Sequence, residues 1–194
     1  MTIETNVHRE SRLAKLKALQ DKGYNPYPYR FRPDAFAADL QEKYKELEPG
    51  ADTEDRVTVA GRAMAVRNNG MFIDIKDISG KIQAFCHKNH LSEEDIERLK
   101  CLDVGDMVGI SGYVRRTPRG ELSIAAEKFD IISKSLQPLP EKFHGLTDVD
   151  ARYRQRYVDF IMNEDSKEIY KKRCQITSAV RRWFEENGFL EVET

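Results

Sequence analysis

Two side chains of one short stretch, Phe72 and Gln83, have the chemistry needed to bind a nucleic-acid base. The stretch, residues 70–85, reads GMFIDIKDISGKIQAF. An aromatic ring can stack on any base, whereas a carboxamide can hydrogen-bond to a particular base edge. On this pattern alone, an exposed Phe72 covered by a neighbouring loop is an equally good interpretation, because single apolar residues are common on protein surfaces.

Alternation of apolar and polar residues predicts that this stretch is a β-hairpin with a turn at residues 77–80. One face carries the predicted core residues Met71, Ile73, Ile75, Ile82 and Ala84. If Lys76 pairs with Lys81 across the turn, Phe72 lies opposite Phe85 and diagonal to Gln83. The outer face would then present the ring and the amide to one ligand.

The charge balance limits how nucleic acid could bind. The 194 residues are 40% hydrophobic and 34% charged, with a net charge of -1. Residues 56–133 contain 12 basic and 11 acidic side chains. This composition argues against binding through a strongly basic surface. Specificity must come from placed groups, with a modest dependence on salt.

The cysteines indicate a reducing compartment. Cys86, Cys101 and Cys174 are an odd number at irregular spacing, which favours free thiols and a cytoplasmic location. The polar N-terminus shows no signal peptide, and no apolar run is long enough to span a bilayer, so we expect no membrane partner. Cys86 with His87 and His90 lacks a fourth ligand, so a surface turn is favoured there and no metal is expected.

Two helices are predicted before the hairpin. Residues 9–22 carry a leucine stripe and stop at Gly23. The other face of this helix is basic and could contact phosphate, although a solvated face is the commoner explanation. After the extended segment NPYPY, a second helix is expected to begin at the cap Asp34 and to end before Pro49.

From residue 56 the pattern changes to five strands, at residues 57–67, 71–76, 81–86, 106–116 and 121–133. A helix capped by Ser92 lies between the third and fourth strands, and a hairpin turn at residues 117–120 joins the last two. This is the order of an OB-fold, a five-stranded Greek-key β-barrel that commonly binds single-stranded nucleic acid on its second and third strands. Fold alone does not establish function, since such barrels also bind sugars or act as scaffolds.

The residues after the barrel read as a connector followed by helices. Residues 136–145, LQPLPEKFHG, are typical of a semi-rigid domain boundary. Residues 148–162 are predicted to be helical. Their three arginines at spacing two do not form a simple phosphate-binding row, so a structural role in domain packing is at least as good an interpretation. The last helix is expected to open with Asp165 and Glu168 in capping-box spacing. Residues 189–194 are expected to form a strand for which the residues after Leu136 supply no partner.

At this point the sequence resembles the N-terminal part of class II lysyl-tRNA synthetases over essentially its whole length. The most specific strings are PLPEKFHGL at residues 138–146 and ARYRQRYVDFI at residues 151–161, supported by GELSI and NPYP. The resemblance implies an OB-fold barrel with N-terminal helices, followed by a truncated α+β class II domain. The implied regions are a helical extension at 1–55, an anticodon-binding OB-fold at 56–133, a linker at 134–150 and the start of the catalytic domain at 151–194.

In this family the barrel binds the anticodon of tRNA(Lys). The resemblance implies that Phe72 stacks on the central anticodon uridine and that Gln83 hydrogen-bonds to its edge. It also implies a basic anticodon contact by Arg67 and an acidic contact by Glu121. The turn between Arg67 and Phe72 is shorter here than is usual in the family and lacks its lysine.

The resemblance further implies a lysine-tRNA ligase that joins lysine to tRNA through an ATP-derived aminoacyl-adenylate. ATP, Mg²⁺ and lysine are expected to bind the full-length enzyme, and a homodimer is expected to form through the motif 1 helix. Motifs 2 and 3 lie beyond residue 194 in the family, so no catalytic residue is assigned and the chain alone is expected to be inactive. The alternatives are a stand-alone OB-fold RNA-binding or regulatory protein and an oligomerisation scaffold.

Overall fold

The computed structural model describes residues 3–140 and 146–193, with side chains from residue 7 onward. Predictions for residues 141–145, which hold most of the PLPEKFHGL string, and for residue 194 lie outside the described residues. The chain divides into two compact units, Met1–Pro138 and Leu139–Thr194.

The first unit is a closed five-stranded barrel, and the predicted OB-fold is confirmed. Its strands are β1 (Asp52–Arg67), β2 (Phe72–Lys76), β3 (Lys81–Phe85), β4 (Met107–Arg116) and β5 (Leu122–Ser133). They close in the order β1-β2-β3-β5-β4, with β3 and β5 parallel and every other pair antiparallel. Each predicted strand end agrees within one residue, except that β1 begins five residues earlier than predicted.

The barrel interior contains the apolar face of each strand. Ile73, Ile75, Ile82 and Ala84 are buried as predicted, whereas Met71 is only partly buried. Full burial of an isoleucine side chain contributes about 1.5–3 kcal/mol to the free energy of unfolding. The strands approach closely at Gly112, where a β-carbon would lie 1.9 Å from the carbonyl oxygen of Ala125.

Three helices surround the barrel: α1 (Ile3–Asp21), α2 (Ala37–Lys43) and α3 (Glu93–Lys100). The predicted Ser92 cap is confirmed, because its side chain accepts from the backbone N–H of Asp95 in a capping box. α1 begins six residues earlier than predicted, and Gly23 ends it with a φ of +74°. Glycine adopts this left-handed conformation without steric cost.

The basic face of α1 is used largely for packing. Buried Arg12 donates to the carbonyl oxygens of Ser135 at 2.8 Å and Val104 at 2.9 Å. Lys15 binds Asp103 at 2.6 Å, and Lys22 forms an exposed ion pair with Glu97. Three of the five cations predicted for this face therefore contact the rest of the unit; the five are Arg9, Arg12, Lys15, Lys17 and Lys22.

The predicted cap of α2 is wrong. Asp34 accepts instead from the backbone N–H of Thr58 at 2.7 Å, and α2 begins three residues later. Its first two N–H groups donate to the side chains of Asp77 and Ser79, in the β2–β3 turn, at 2.7 and 3.0 Å. The cap thus comes from a different element, which residue spacing within the helix could not reveal.

Replacing Asp77 by alanine is expected to destabilise the protein by about 0.5–2 kcal/mol near neutral pH, the range measured for lost helix caps. Burial opposes ionisation of Asp77, but hydrogen bonds from Ala37, Ser79 and Gly80 outweigh it and lower the pKa of the carboxyl. A lowered pKa means that this stabilisation is present above the unfolded-state pKa of about 4 and is lost as the pH falls through the folded-state value.

Urea unfolding of both proteins near pH 7 and near pH 2.5 measures the effect. Asp39→Ala, on the exposed surface of α2, is the control variant. The loss of unfolding free energy caused by Asp77→Ala should be smaller near pH 2.5 than near pH 7. An equal cost at both pH values would contradict a role for the charge.

The second unit contains α4 (Val149–Arg154), α5 (Arg156–Met162) and α6 (Glu164–Glu186). The helix predicted over 148–162 is therefore interrupted at Gln155. Arg152 and Arg156 both bind the buried carboxylate of Asp159 within the same unit. Arg154 forms an exposed pair with Asp150 instead.

Two predictions for the end of this unit are wrong. The N-cap of α6 is Asn163 rather than Asp165, and it makes no side-chain capping bond. Residues 189–193 do not form a strand, because residues 146–193 supply no strand for them to pair with. α6 leaves large apolar side chains exposed: Ile169, Ile176, Val180, Trp183 and Phe184.

The cysteines are unpaired: Cys86 is buried, Cys101 is partly buried and Cys174 is exposed. Burial raises the pKa of the Cys86 thiol to about 12. Within the described ranges, no group of three or more histidine, cysteine, aspartate or glutamate side chains could hold a metal ion. None of the helices seen in those ranges has both the length and the apolar character needed to cross a membrane.

Candidate nucleic-acid interface

The four residues predicted to form the site, Arg67, Phe72, Gln83 and Glu121, line one open cavity of about 880 Å³. This volume is within the usual range for ligand sites, roughly 300–1,000 Å³. The rest of the lining comes from the β1–β2 turn, β2, β3, β4 and the β4–β5 loop: Asn68, Asp74, Lys81, Phe85, Arg115, Thr117, Pro118 and Arg119.

The hairpin pairing places the ring and the amide together. Lys76 pairs with Lys81, and Phe72 with Phe85, so the predicted register is confirmed. Gln83 pairs with Asp74 and lies diagonal to Phe72 on the same face. The rings of Phe72 and Phe85 are 5.2 Å apart between centroids, tilted by 35°, and both remain partly exposed.

The orientation of Gln83 is set by β5. Gln83 is only 8% exposed, and buried Ser123 donates from its hydroxyl to Gln83 Oε1 at 3.0 Å. This contact exists because Gln83 and Ser123 are partners in the parallel β3–β5 pair. Within the described residues the carboxamide nitrogen of Gln83 has no hydrogen-bond partner, so its N–H groups are available to a ligand. The hairpin pattern contains no signal for Ser123, which lies on a different strand.

A buried carboxylate lies between two cations in the cavity. The Asp74 side chain is 3% exposed and accepts from both terminal nitrogens of Arg67, at 3.0 and 2.7 Å. Lys81 Nζ lies 2.9 Å from the same carboxylate. Burial opposes ionisation of Asp74, but the hydrogen bonds from Arg67 and Lys81 outweigh it and lower its pKa. Asp74 therefore stays charged and fixes the guanidinium of Arg67.

Tight turns position the two outer site residues. After Arg67 the chain reverses through Asn68, Asn69 and Gly70, with φ values of +49°, +53° and +90°. Asparagine and glycine tolerate this left-handed backbone better than other residues do. Glu121 is exposed directly before β5, where its carbonyl oxygen accepts from the Thr117 N–H at 2.9 Å.

The cavity is more positive than the chain as a whole. It is lined by four cationic side chains, Arg67, Lys81, Arg115 and Arg119, and by two anionic ones, Asp74 and Glu121. The guanidinium of Arg115 lies 5.2 Å from the centroid of Phe85. An aromatic platform beside an excess of cations is suited to a single-stranded nucleic acid.

Two known families match parts of this chain. Residues 57–132 match the family described as "OB-fold nucleic acid binding domain". Residues 148–194 match the family described as "tRNA synthetases class II (D, K and N)". The first match covers the barrel that forms the cavity.

Curated relatives extend the similarity over nearly the whole chain. It is 49% identical over 95% of its length to a lysine–tRNA ligase of Sinorhizobium medicae, and 50% identical over the same share to one of Rhizobium etli. It is 45% identical over 96% of its length to the chloroplastic/mitochondrial lysine–tRNA ligase of Arabidopsis thaliana. The chain spans 37% of the length of the two bacterial relatives and 32% of the plant one. The chain is therefore similar to the lysine–tRNA ligases across a match to an OB-fold nucleic-acid-binding domain and a match to part of a class II tRNA synthetase domain.

Proposed function

We propose that the cavity binds the anticodon of tRNA(Lys), and that the chain acts within a lysine–tRNA ligase that charges this tRNA with lysine. The observation that carries the proposal is the diagonal placement of Phe72 and Gln83 in one cationic cavity. The names of the curated relatives support the same role.

Phe72 and Gln83 divide the recognition of the central uridine between them. Phe72 stacks on the base, which stabilises binding without reading its identity. Gln83, held by Ser123, donates an N–H to a carbonyl oxygen on the uracil edge. Cytosine carries an amino group where uracil carries its C4 carbonyl, so a donor would face a donor. The amide therefore supplies the discrimination.

Arg67 and Glu121 complete the site from its two rims. Arg67 keeps N–H groups that Asp74 does not occupy, and these can bind phosphate or a base acceptor. Glu121 offers a carboxylate to donors on a neighbouring base. A cation and an anion at fixed positions favour particular bases, whereas a uniformly basic surface would attract any RNA.

The rest of the charging reaction belongs to the complete ligase. No residue of this chain is assigned to bind ATP, Mg²⁺ or lysine, and we expect the chain alone to be inactive in charging. The apolar face of α6 would contribute to a homodimer of the complete ligase. We expect the complete ligase to be located in the cytoplasm.

Replacing Gln83 by alanine tests the proposal. The preference for uridine over cytosine at the central position should fall by about 1–3 kcal/mol, because the donor that distinguishes the two is removed. Affinity for the cytosine variant should change much less. Titration of the chain with two anticodon stem-loops that differ only at this base measures both quantities.

The control variant is Gln20→Ala, an exposed glutamine on α1. It should preserve the full preference. If Gln83→Ala also preserved it, Gln83 would not be the residue that reads the base.

A further inference from the structure

The two ends of the Gln83 amide would recognise opposite partners. One end offers N–H donors and the other a carbonyl acceptor, and a half-turn of the amide exchanges them. Donors facing the cavity suit the C4 carbonyl of uracil, whereas an acceptor there would suit the C4 amino group of cytosine. The presence of a glutamine therefore does not by itself determine which base is preferred. The preference depends on the contact that holds the amide in one orientation.

Ser123 holds the inner side of this amide. It is fully buried, and its hydroxyl donates to Gln83 Oε1 at 3.0 Å. Asp74 is the cross-strand partner of Gln83, but its carboxylate already accepts from Arg67 and Lys81. Among the described side chains, the Ser123 hydroxyl is therefore the group that hydrogen-bonds to the amide and orients it.

The hydroxyl of Ser123 has a second acceptor within reach, the carbonyl oxygen of Glu121 at 3.4 Å. If the hydroxyl donated there, its oxygen could accept from a reversed Gln83 amide, and the amide carbonyl would face the cavity. The contact with Gln83 is shorter, and the Glu121 carbonyl already accepts from the Thr117 N–H at 2.9 Å. The hydroxyl therefore donates to Gln83, and the amide N–H groups face the cavity.

Both side chains are positioned by the barrel rather than by a loop. Gln83 of β3 and Ser123 of β5 are partners in the parallel pair, and the pairing continues through Ala84 with Ile124. Because Gln83 is buried, water has little access to replace the hydroxyl as its partner. The orientation of the amide is thus fixed before any ligand binds, as selective recognition requires.

We propose that Ser123 determines the preference for uridine over cytidine at the central position, by fixing the donor end of the Gln83 amide towards the base. Ser123 is a positioning residue, since Gln83 makes the base contact. Without the hydroxyl, both amide orientations become available and the cavity accepts either base. This inference rests on the proposed function, because it assumes that the central anticodon base contacts Gln83.

Ser123→Ala tests the proposal with two anticodon stem-loops that carry uridine or cytidine at the central position. Affinity for the uridine stem-loop should fall only about 2-fold, because one of the two amide orientations still presents the donors. Affinity for the cytidine stem-loop should rise, because the other orientation accepts from the amino group. The preference for uridine should therefore fall about 5-fold or more, the lower limit for one base-edge contact. Simple damage to the cavity would weaken binding of both stem-loops.

Two further variants separate the hydroxyl from the size of the side chain. Ser123→Cys nearly preserves the size but donates weakly, so it should lose the preference as Ser123→Ala does. Ser123→Thr keeps the hydroxyl and should retain the preference. The matched control is Ser111→Ala, on β4, which removes a hydroxyl that bonds to Thr58 outside the cavity. It should leave the preference unchanged.

The outcomes distinguish this inference from the proposed function. If Gln83→Ala removes the preference for uridine but Ser123→Ala and Ser123→Cys retain it, the role of Ser123 is wrong and the proposed function stands. If the native chain shows no preference for uridine, the proposed function itself fails. A lost preference in Ser123→Ala, with tighter binding of the cytidine stem-loop, supports the role of Ser123.

Discussion

Phe72→Ala is expected to weaken binding of an anticodon stem-loop with a central uridine by about 1–3 kcal/mol, the range for one base stacked on an aromatic ring. The variant removes the stacking surface and also the ring that packs 5.2 Å from Phe85. Affinity should fall for every central base, because stacking does not depend on base identity. Fluorescence anisotropy with labelled stem-loops measures the change.

The control for this variant is Phe36→Ala, which removes an exposed phenylalanine beside α2 and outside the cavity. It should leave RNA affinity unchanged. Phe72→Trp should retain or increase the affinity, because it keeps an aromatic face. Native affinity in Phe72→Ala would show that the ring is not a stacking platform.

Lys134→Ala is expected to destabilise the first unit by about 3–5 kcal/mol, the range for breaking a buried ion pair. The Lys134 side chain is 0% exposed, and its ammonium group binds the carboxylates of Asp103 and Asp106, the latter at 2.7 Å. Asp106 also accepts from the backbone N–H of Ser135 at 2.7 Å. Removal of the lysine would leave the fully buried Asp106 side chain without its cation.

Urea unfolding measures this loss, and the Lys22–Glu97 pair supplies the comparison. Both of those side chains are largely exposed and screened by solvent, so Lys22→Ala should destabilise the first unit far less than Lys134→Ala does. A cost below about 1 kcal/mol for Lys134→Ala would show that the buried cluster does not stabilise the barrel.

The β-strands could be predicted from sequence because their signal is local. Alternation in residues 71–85 determines which side chains face the core, and the four-residue turn determines the register, so the pairing of Phe72 with Phe85 follows. The Ser92 cap was found for the same reason, since both partners of its capping box lie within four residues.

Errors arose where a distant element completes a local structure. Asp77, in the β2–β3 turn, caps α2, whereas Asp34 accepts from the N–H of Thr58 and does not cap the helix. Asp165 was chosen for its spacing to Glu168, but α6 begins one residue before it. Residues 189–193 have the composition of a strand, yet a strand requires a partner.

In the candidate site, too, some residues have a local sequence signal and others depend on contacts with distant elements. Phe72 and Gln83 were selected from the local pattern, and Arg67 and Glu121 from the resemblance. Ser123 reaches Gln83 only through the parallel β3–β5 pair, which joins strands separated by a helix. Residue spacing carries no information about this contact.

The most direct test of the account is titration of the native chain with four anticodon stem-loops that differ only at the central base. We expect the uridine stem-loop to bind tightest, by about 1–3 kcal/mol over each of the others, because Gln83 reads the base edge. Equal affinity for all four would contradict base recognition by this cavity.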